Sequence, residues 1–258
     1  MLVGAGDIAS CGSPGSTATA NLLDGIPGAV FTAGDNAYPH GNAGNYRDCY
    51  EPTWGRHRDR TYPTPGNHDY ESRGAGPYFD YFGDRAGPRG LGYYTYDVGP
   101  WRIFALNSEI DAAESSVQVQ WLRSELTSRP SECAVAIWHR PRFSSGPNGS
   151  NADMRDMFRA AYDLGIELVL NGHDHLYERF SPQDHDGRLD FARGVRQFTV
   201  GTGGVRLYVP LSPARANSER IGQAWGVLKL TLRTRAYDWE FIPVGDTAFR
   251  DTGSGTCH

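Results

Sequence analysis

Carboxylate, amide and imidazole side chains recur in short motifs along this sequence of 258 residues. The members of the set are Asp7, Asp35, Asn67, His139, His173 and His175. A pair of metal cations about 3.5 to 4 Å apart needs oxygen and imidazole ligands, together with one carboxylate whose two oxygens can bridge both ions. The set supplies both kinds of ligand, so its residue types favour a site for two metal ions.

The immediate neighbours of these residues support the same interpretation. Asp7 and Asp35 each follow a glycine, and Asn67 follows Gly66. A glycine lets the backbone bend, so that the next side chain can reach a shared centre. In His173-Asp174-His175, a single intervening residue lets two imidazoles approach different ions from an extended segment or a tight turn.

Short strand-like runs precede the motifs and predict the elements that would position them. These runs cover residues 2–3, 29–33, 61–64, 134–138 and 166–170. Apolar periodicity predicts helices over residues 17–23, 117–128 and 154–164. Hairpins are predicted from 93–98 with 101–106 and from 227–232 with 237–242. Each candidate ligand therefore lies close to the end of a predicted strand.

The alternation of strands and helices predicts an α/β fold in which antiparallel strands flank parallel ones. We expect two mixed sheets packed face to face and flanked by helices, which is a four-layer αββα sandwich. In open α/β folds, ligands bind beyond the carboxyl ends of the strands, where several loops converge. The candidate ligands would all lie at such ends.

Length and charge limit the classes of function. A chain of this length can bury a sizeable core, and we expect one domain over residues 1–258. The formal net charge of -5 provides no broad positive surface for stable nucleic-acid binding, although it leaves a nuclease possible. No apolar run approaches the roughly 18 residues of a membrane helix, so no membrane association is expected. The oligomeric state is left open.

The sequence contains 4 cysteines, and none lies in a Cys-x-x-Cys pair, which disfavours a zinc ribbon or a thioredoxin-type redox site. Of the possible disulfide pairings we favour Cys11 with Cys49, because each follows a candidate metal loop, and Cys133 with Cys257, which would fix the C-terminus. Four buried free thiols are the alternative. Disulfides would indicate an oxidising compartment. A secreted or periplasmic protein whose signal peptide is absent from this sequence would fit them.

Three of the motifs resemble those of the calcineurin-like metallophosphoesterases. They are Gly34-Asp35-Asn36-Ala37-Tyr38, Gly66-Asn67-His68-Asp69 and Gly172-His173-Asp174-His175, which resemble GDxxY, GNH[DE] and GHxH. The continuation Leu176-Tyr177-Glu178-Arg179 resembles the purple acid phosphatases of that superfamily. The resemblance extends from Gly6 to about Gly204, and its motifs occur in the order typical of the family.

The resemblance implies two metal sites that share Asp35. The first ion would be bound by Asp7, Asp35, Tyr38 and His175. The second would be bound by Asp35, Asn67, His139 and His173. Many members carry Asp-x-His in the first motif, whereas the third position here is Ala9, and Tyr38 would take the vacant place. A phenolate favours a hard, highly charged cation, so Fe(III) is expected at the first site, with Fe(II), Zn(II) or Mn(II) at the second.

The resemblance also implies catalytic residues. A metal-bound hydroxide would attack phosphorus, and His68 would act as general acid for the leaving alkoxide, since imidazole titrates at about pH 6.5. Asp69 is expected to orient His68. Arg140 follows the ligand His139, where many relatives carry another histidine, and its guanidinium would bind phosphate oxygens. An ion pair at the surface is the alternative for Arg140.

A small phosphoester is therefore the expected substrate, and a phosphomonoesterase of acid-phosphatase type is the leading function. A phosphodiesterase with the same metal ions is one alternative, because the loop over residues 144–150 would shape a larger site. A non-catalytic module that keeps its metals for structure is another. The intact His68-Asp69 pair disfavours such a module, because a structural site needs no proton donor outside its ligands.

Overall fold

Residues 1–247 and 249–258 are described by a computed structural model, in which two β-sheets pack face to face. The strands are β1 (Leu2–Ala5), β2 (Ala29–Thr32), β3 (Thr61–Tyr62), β4 (Tyr94–Val98), β5 (Trp101–Ala105), β6 (Ala134–Ile137), β7 (Leu168–Asn171), β8 (Tyr177–Phe180), β9 (Arg196–Val200), β10 (Ser218–Gly222), β11 (Gly226–Arg233), β12 (Ala236–Pro243) and β13 (Asp251–Thr256). The α-helices are α1 (Pro14–Asp24), α2 (Ala43–Asn45), α3 (Asn67–Glu71), α4 (Gly76–Phe82), α5 (Val117–Ser128) and α6 (Arg155–Asp163).

Each sheet combines parallel and antiparallel strands. The six-stranded sheet has the order β13-β12-β11-β1-β2-β3, in which β1, β2 and β3 are parallel. The seven-stranded sheet has the order β10-β8-β9-β7-β6-β5-β4, in which β5, β6, β7 and β9 are parallel. The predicted α/β class with two mixed sheets is confirmed.

Strand β6 is apolar because both of its faces are buried. Val135 and Ile137 pack into the cluster between the two sheets, whereas Ala134 and Ala136 belong to the cluster beneath α5 and α6. Strand β7 alternates in the same way. Successive side chains point to opposite faces of a strand, so a parallel strand covered on both sides has a continuous apolar sequence. This is the pattern that made these strands recognisable.

Helices cover the outer faces of both sheets. Leu122 of α5 and Phe158 of α6 are buried against the seven-stranded sheet. Ala20 and Leu23 of α1 are buried in the cluster that includes the six-stranded sheet. The helices therefore flank the sheets as predicted. Among the described residues, no helix reaches the length and hydrophobicity that crossing a bilayer requires.

Regular structure is more extensive than the sequence pattern predicts. Between β2 and β4 the chain forms α2, α3 and α4, together with 3-10 and π-helical turns. Most of these elements are too short for an apolar repeat to be visible. Strands β8, β9, β10 and β13 are also absent from the prediction, and β13 contains no apolar residue. Pairing with a neighbouring strand, rather than local sequence, determines such an element.

The cysteines pair as predicted. Cys11 and Cys49 form one disulfide, and Cys133 and Cys257 form the other, so no described cysteine is free. The first bond ties the loop after β1 to the helical turn Tyr46–Tyr50. The second joins the residue before β6 to the residue after β13, and thus links the two sheets covalently.

Removal of the second disulfide should destabilise the fold, because the bond joins residues separated by 124 positions. In the chain-entropy account, a closed loop of that size contributes about 4 to 5 kcal/mol by restricting the unfolded chain. We expect the double variant Cys133→Ser, Cys257→Ser to lose about 2 to 5 kcal/mol in the free energy of unfolding, measured by urea denaturation. The matched double variant at Cys11 and Cys49, whose separation is 38, should lose less. Wild-type stability in the first variant would contradict the prediction.

Candidate metal centre

The segments that follow five parallel strands bring the predicted ligands together. Asp7 follows β1, Asp35 follows β2 and Asn67 follows β3. His139 follows β6, and His173 and His175 both follow β7. Strands β1 and β2 are paired in parallel, as are β6 and β7, so their carboxyl ends lie at one edge of each sheet. The facing sheets place these edges side by side, and the six side chains converge there.

The hydroxyl of Tyr38 lies among the atoms of the first predicted ligand set. It is 2.9 Å from Asp7 Oδ1 and 2.9 Å from Asp35 Oδ2, and either carboxylate can accept its single hydrogen. It is also 3.2 Å from His175 Nε2. His175 Nε2 is in turn 3.3 Å from Asp7 Oδ1. These four side chains form the first contact group.

The second contact group forms around His139. Its Nε2 atom is 3.2 Å from Asp35 Oδ2, 3.1 Å from Asn67 Oδ1 and 3.2 Å from His173 Nδ1. Ligand atoms of Asp35, His139 and His173 all lie within 4.8 Å of one another. Asp35 Oδ2 therefore contacts both groups, and it is the atom at which they meet.

Three of the converging residues have a left-handed backbone. The φ angles of Asp7, Asp35 and His173 are 59°, 52° and 71°. Such values are uncommon for non-glycine residues and concentrate at functional sites, where the surrounding structure holds them. Here the carboxylates supply that restraint, because His173 N donates to Asp7 Oδ2 at 2.8 Å and His68 N donates to Asp35 Oδ1 at 2.8 Å. The other oxygen of each carboxylate faces the centre.

Two glycines allow the loops to approach closely. Gly34 has a φ of 82°, and a Cβ atom there would lie 2.4 Å from His139 Nδ1. A Cβ atom on Gly66 would lie 2.2 Å from Asp35 Oδ1. Any side chain at either position would push one loop away from the next. The glycines of the motifs are thus part of the packing around the ligands.

The electrostatics of the centre suit a cation. Burial raises the pKa of Asp35, but the charge and hydrogen bond of His139, together with the charge and backbone N–H of His68, hold this pKa below its usual range. Burial, followed by the charges of His139 and Arg140, lowers the pKa of His173 to about 3. In the described part of the chain, the charged partners of Asp7 and Asp35 are all imidazoles. Metal ions replace protons on such donors, so these residues fit a pair of cations.

His68 lies at the rim of the centre, but Asp69 does not orient it as predicted. His68 Nδ1 is 2.5 Å from the carbonyl oxygen of Pro39 and 3.0 Å from Glu71 Oε1, which leaves Nε2 facing Asp35 Oδ2 at 3.9 Å. Glu71 is not among the residues predicted from the sequence. Its spacing of three residues from His68 on a helix is the signal that could have revealed it.

Asp69 instead joins two metal loops. Its carboxylate accepts hydrogen bonds from Gly66 N at 2.9 Å, Asn36 Nδ2 at 3.0 Å and the Tyr46 hydroxyl at 2.6 Å. Burial, followed by the charge of Asp35, raises the pKa of Asp69 to about 6. The prediction for Asp69 is wrong because the helical turn of α3 directs this side chain inward, away from His68.

Arg140 lies beside the centre, and Glu109 holds its guanidinium. Arg140 Nε donates to Glu109 Oε1 at 2.9 Å, and Nη2 donates to Oε2 at 3.0 Å. The Arg140 side chain is 29% exposed and that of Glu109 is 8% exposed. The ion-pair alternative is therefore present, and phosphate binding by Arg140 stays a prediction. Glu109 follows β5. An acidic residue after a predicted strand is the signal that could have marked Glu109 as part of the site.

The loop over residues 144–150 lies against the turn that carries His173. Asn148 Nδ2 donates to the His173 carbonyl at 2.7 Å, and Asn148 N donates to Asp174 Oδ1 at 2.9 Å. Ser144 Oγ also donates to the Asp174 carboxylate. The loop is thus hydrogen-bonded to the turn that carries His173 and Asp174.

Known proteins resemble the chain both in sequence and in fold. Residues 2–177 match the family described as calcineurin-like phosphoesterase. Purple acid phosphatase 15 of Arabidopsis thaliana is 26% identical over 223 residues, covering 72% of this chain and 42% of that protein. The chain thus spans less than half the length of this curated relative.

Solved structures extend the similarity of the fold over nearly the whole chain. The purple acid phosphatase PPD1 from yellow lupin (Lupinus luteus) seeds has a TM-score of 0.87 at 20% identity, covering 99% of this chain and 53% of that one. GAP50, the anchor in the inner membrane complex of Plasmodium, has a TM-score of 0.74 at 14% identity, covering 100% of this chain and 88% of that one. The family match over residues 2–177 includes every converging side chain predicted to bind metal. The chain belongs to the calcineurin-like phosphoesterase family and is purple acid phosphatase-like.

Proposed function

We propose that residues 1–258 form one catalytic domain that hydrolyses phosphomonoesters with a dinuclear metal centre. Membership in the family implies such a centre. The observation that carries the proposal is the meeting of two groups of oxygen and imidazole donors at Asp35 Oδ2, with the imidazole of His68 at their rim. A small phosphoester is the substrate class that this arrangement suits.

The metals are assigned from the chemistry of each donor group. Fe(III) would bind Asp7, Asp35, Tyr38 and His175, because a phenolate ligand favours a hard trivalent cation. Fe(II), Zn(II) or Mn(II) would bind Asp35, Asn67, His139 and His173. When bound, the cations would activate a water molecule for attack and offset the charge on the phosphoryl oxygens.

Side chains at the rim would bind the substrate and transfer the proton. His68 would donate a proton from Nε2 to the leaving alkoxide, while Pro39 O and Glu71 hold Nδ1 on the opposite side of the ring. The Arg140 guanidinium, fixed by Glu109, would bind phosphoryl oxygens. The chain would act in a secreted or periplasmic setting, which its two disulfides fit.

Hydrolysis of matched esters tests the proposed reaction. We expect kcat/KM for an aryl phosphate to exceed that for the corresponding bis-aryl phosphate. The rim offers one proton donor, His68, for a leaving group and one guanidinium, Arg140, for the phosphoryl oxygens of a monoester. The assay follows release of the same phenol from both esters with the metal-loaded protein. Faster cleavage of the diester would favour the phosphodiesterase alternative, and cleavage of neither would support a non-catalytic module.

Replacement of His68 should slow catalysis without removing metal. We expect His68→Ala to lower kcat by about 10²- to 10⁴-fold for an alkyl phosphate, whose leaving group needs a proton, and by less for an aryl phosphate. Metal content, measured by elemental analysis, should stay at the wild-type value. His40→Ala is the matched control, because His40 contacts the same Glu71 but its side chain is 62% exposed. Equal losses for both esters would contradict the general-acid role.

Replacement of Tyr38 tests the assignment of iron to the first site. The iron-loaded wild-type protein should absorb visible light through tyrosinate-to-iron charge transfer, and Tyr38→Phe should abolish that band. Tyr94→Phe is the control, since the Tyr94 hydroxyl donates to Pro63 O outside the centre. A colourless wild-type protein with full activity in zinc or manganese would exclude the iron assignment.

A further inference from the structure

His173 and His175 share one turn, yet different parts of the chain hold them. Asn148 fixes the His173 carbonyl from the loop over residues 144–150. His175 is instead held by the 205–208 segment, which follows β9 and the turn Gly201-Thr202-Gly203-Gly204. No predicted site residue lies in this segment. At the centre, the described contacts of this segment are with Asp7 and His175, two members of the first contact group.

Three contacts from the 205–208 segment fix His175. His175 Nδ1 donates to the carbonyl oxygen of Arg206 at 2.8 Å, and Tyr208 N donates to the carbonyl oxygen of His175 at 2.8 Å. The Tyr208 ring stacks on the imidazole, with a centroid separation of 3.9 Å and an interplanar angle of 14°. The hydrogen bond sets the direction of the ring within its plane, and the stacking sets the plane itself. Together they aim Nε2 at Asp7 and Tyr38.

The 205–208 segment is itself anchored to its surroundings. Val205 N donates to the carbonyl oxygen of Asp7 at 3.2 Å, and Trp225 Nε1 donates to Val205 O at 2.7 Å. Gln223 Nε2 donates to Tyr208 O at 2.7 Å. The next residue, Val209, is 71% exposed. Hydrogen bonds therefore fix the segment at Val205 and at Tyr208, and the chain becomes exposed directly after Tyr208.

We propose that Tyr208 is a positioning residue for His175 and thereby for the first metal site. The inference rests on the proposed dinuclear centre. Groups that orient a metal-binding histidine from outside its ligand shell commonly change metal affinity about 10- to 100-fold when they are replaced. Among the described residues, the contacts that the 205–208 segment makes at the centre are with His175 and Asp7, so the effect should be largest for the first ion.

Replacement of the Tyr208 ring tests this role through metal content. The protein is loaded with iron and zinc, dialysed against increasing concentrations of a chelator, and analysed for both elements. We expect Tyr208→Leu to bind the first ion about 10- to 100-fold more weakly than wild type while the second ion stays bound. Tyr208→Phe keeps the stacked ring and should keep wild-type affinity. Val209→Ala, a change in the exposed neighbour, should also behave as wild type.

Several outcomes separate the possible roles of Tyr208. Unchanged affinity for the first ion in Tyr208→Leu overturns the proposal, as does an equal loss in Tyr208→Phe, because the hydroxyl would then be responsible. Circular dichroism checks the fold of each variant, and Tyr208→Met replaces the leucine variant if that protein does not fold. A wild-type protein that binds no metal pair would contradict the proposed function itself. If wild type and Tyr208→Leu both bind two ions, and bind them with the same affinities, only the role of Tyr208 is contradicted.

Discussion

The arrangement of the centre depends on the two oxygens of one buried carboxylate. Asp35 Oδ1 accepts a hydrogen bond from the backbone of His68, while Oδ2 contacts both the Tyr38 hydroxyl and His139 Nε2. One oxygen is thus fixed by the first turn of α3, and the other is shared by the two contact groups. Asp35 is 1% exposed, so water offers little screening and each of these interactions is strong.

The sheets make these contacts of Asp35 possible because loops with charged side chains lie at the ends of apolar strands. Parallel pairing of β1 with β2 sets the loops of Asp7 and Asp35 side by side, and hydrogen bonds continue the pairing past the strand ends, as in Asp7 N to Gly34 O at 3.0 Å. The strands themselves are buried on both faces. Their packing supplies the stability that holds three left-handed backbones and several buried charges in place.

Carboxylates outside the ligand set fix the loops around the centre. Asp69 joins the loops after β2 and β3, Asp174 holds the loop over residues 144–150, and Glu109 holds Arg140. Each accepts hydrogen bonds from groups distant in sequence, so the position of one ligand is linked to several others. A buried polar group without such a partner would cost free energy, which explains why these acids are paired so consistently.

The sequence by itself predicted which side chains converge, which strand ends carry them and, as the favoured pairing, the two disulfides. These features are local or rest on spacing. Glycines next to Asp7 and Asp35, apolar runs before His139 and His173, and four cysteines are visible one segment at a time. Their physical basis is the backbone freedom of glycine and the burial of parallel strands on both faces.

Only the tertiary structure decided which side chains contact His68 and the predicted metal ligand His175. Asp69 is adjacent to His68 in sequence, yet α3 turns it toward Asn36 and Tyr46, and Glu71 contacts His68 instead. Stacking of Tyr208 on His175 joins residues on separate connections between strands. Side chains adjacent on a helix point in different directions, and contacts between distant segments depend on how the sheets pack, which no single segment records.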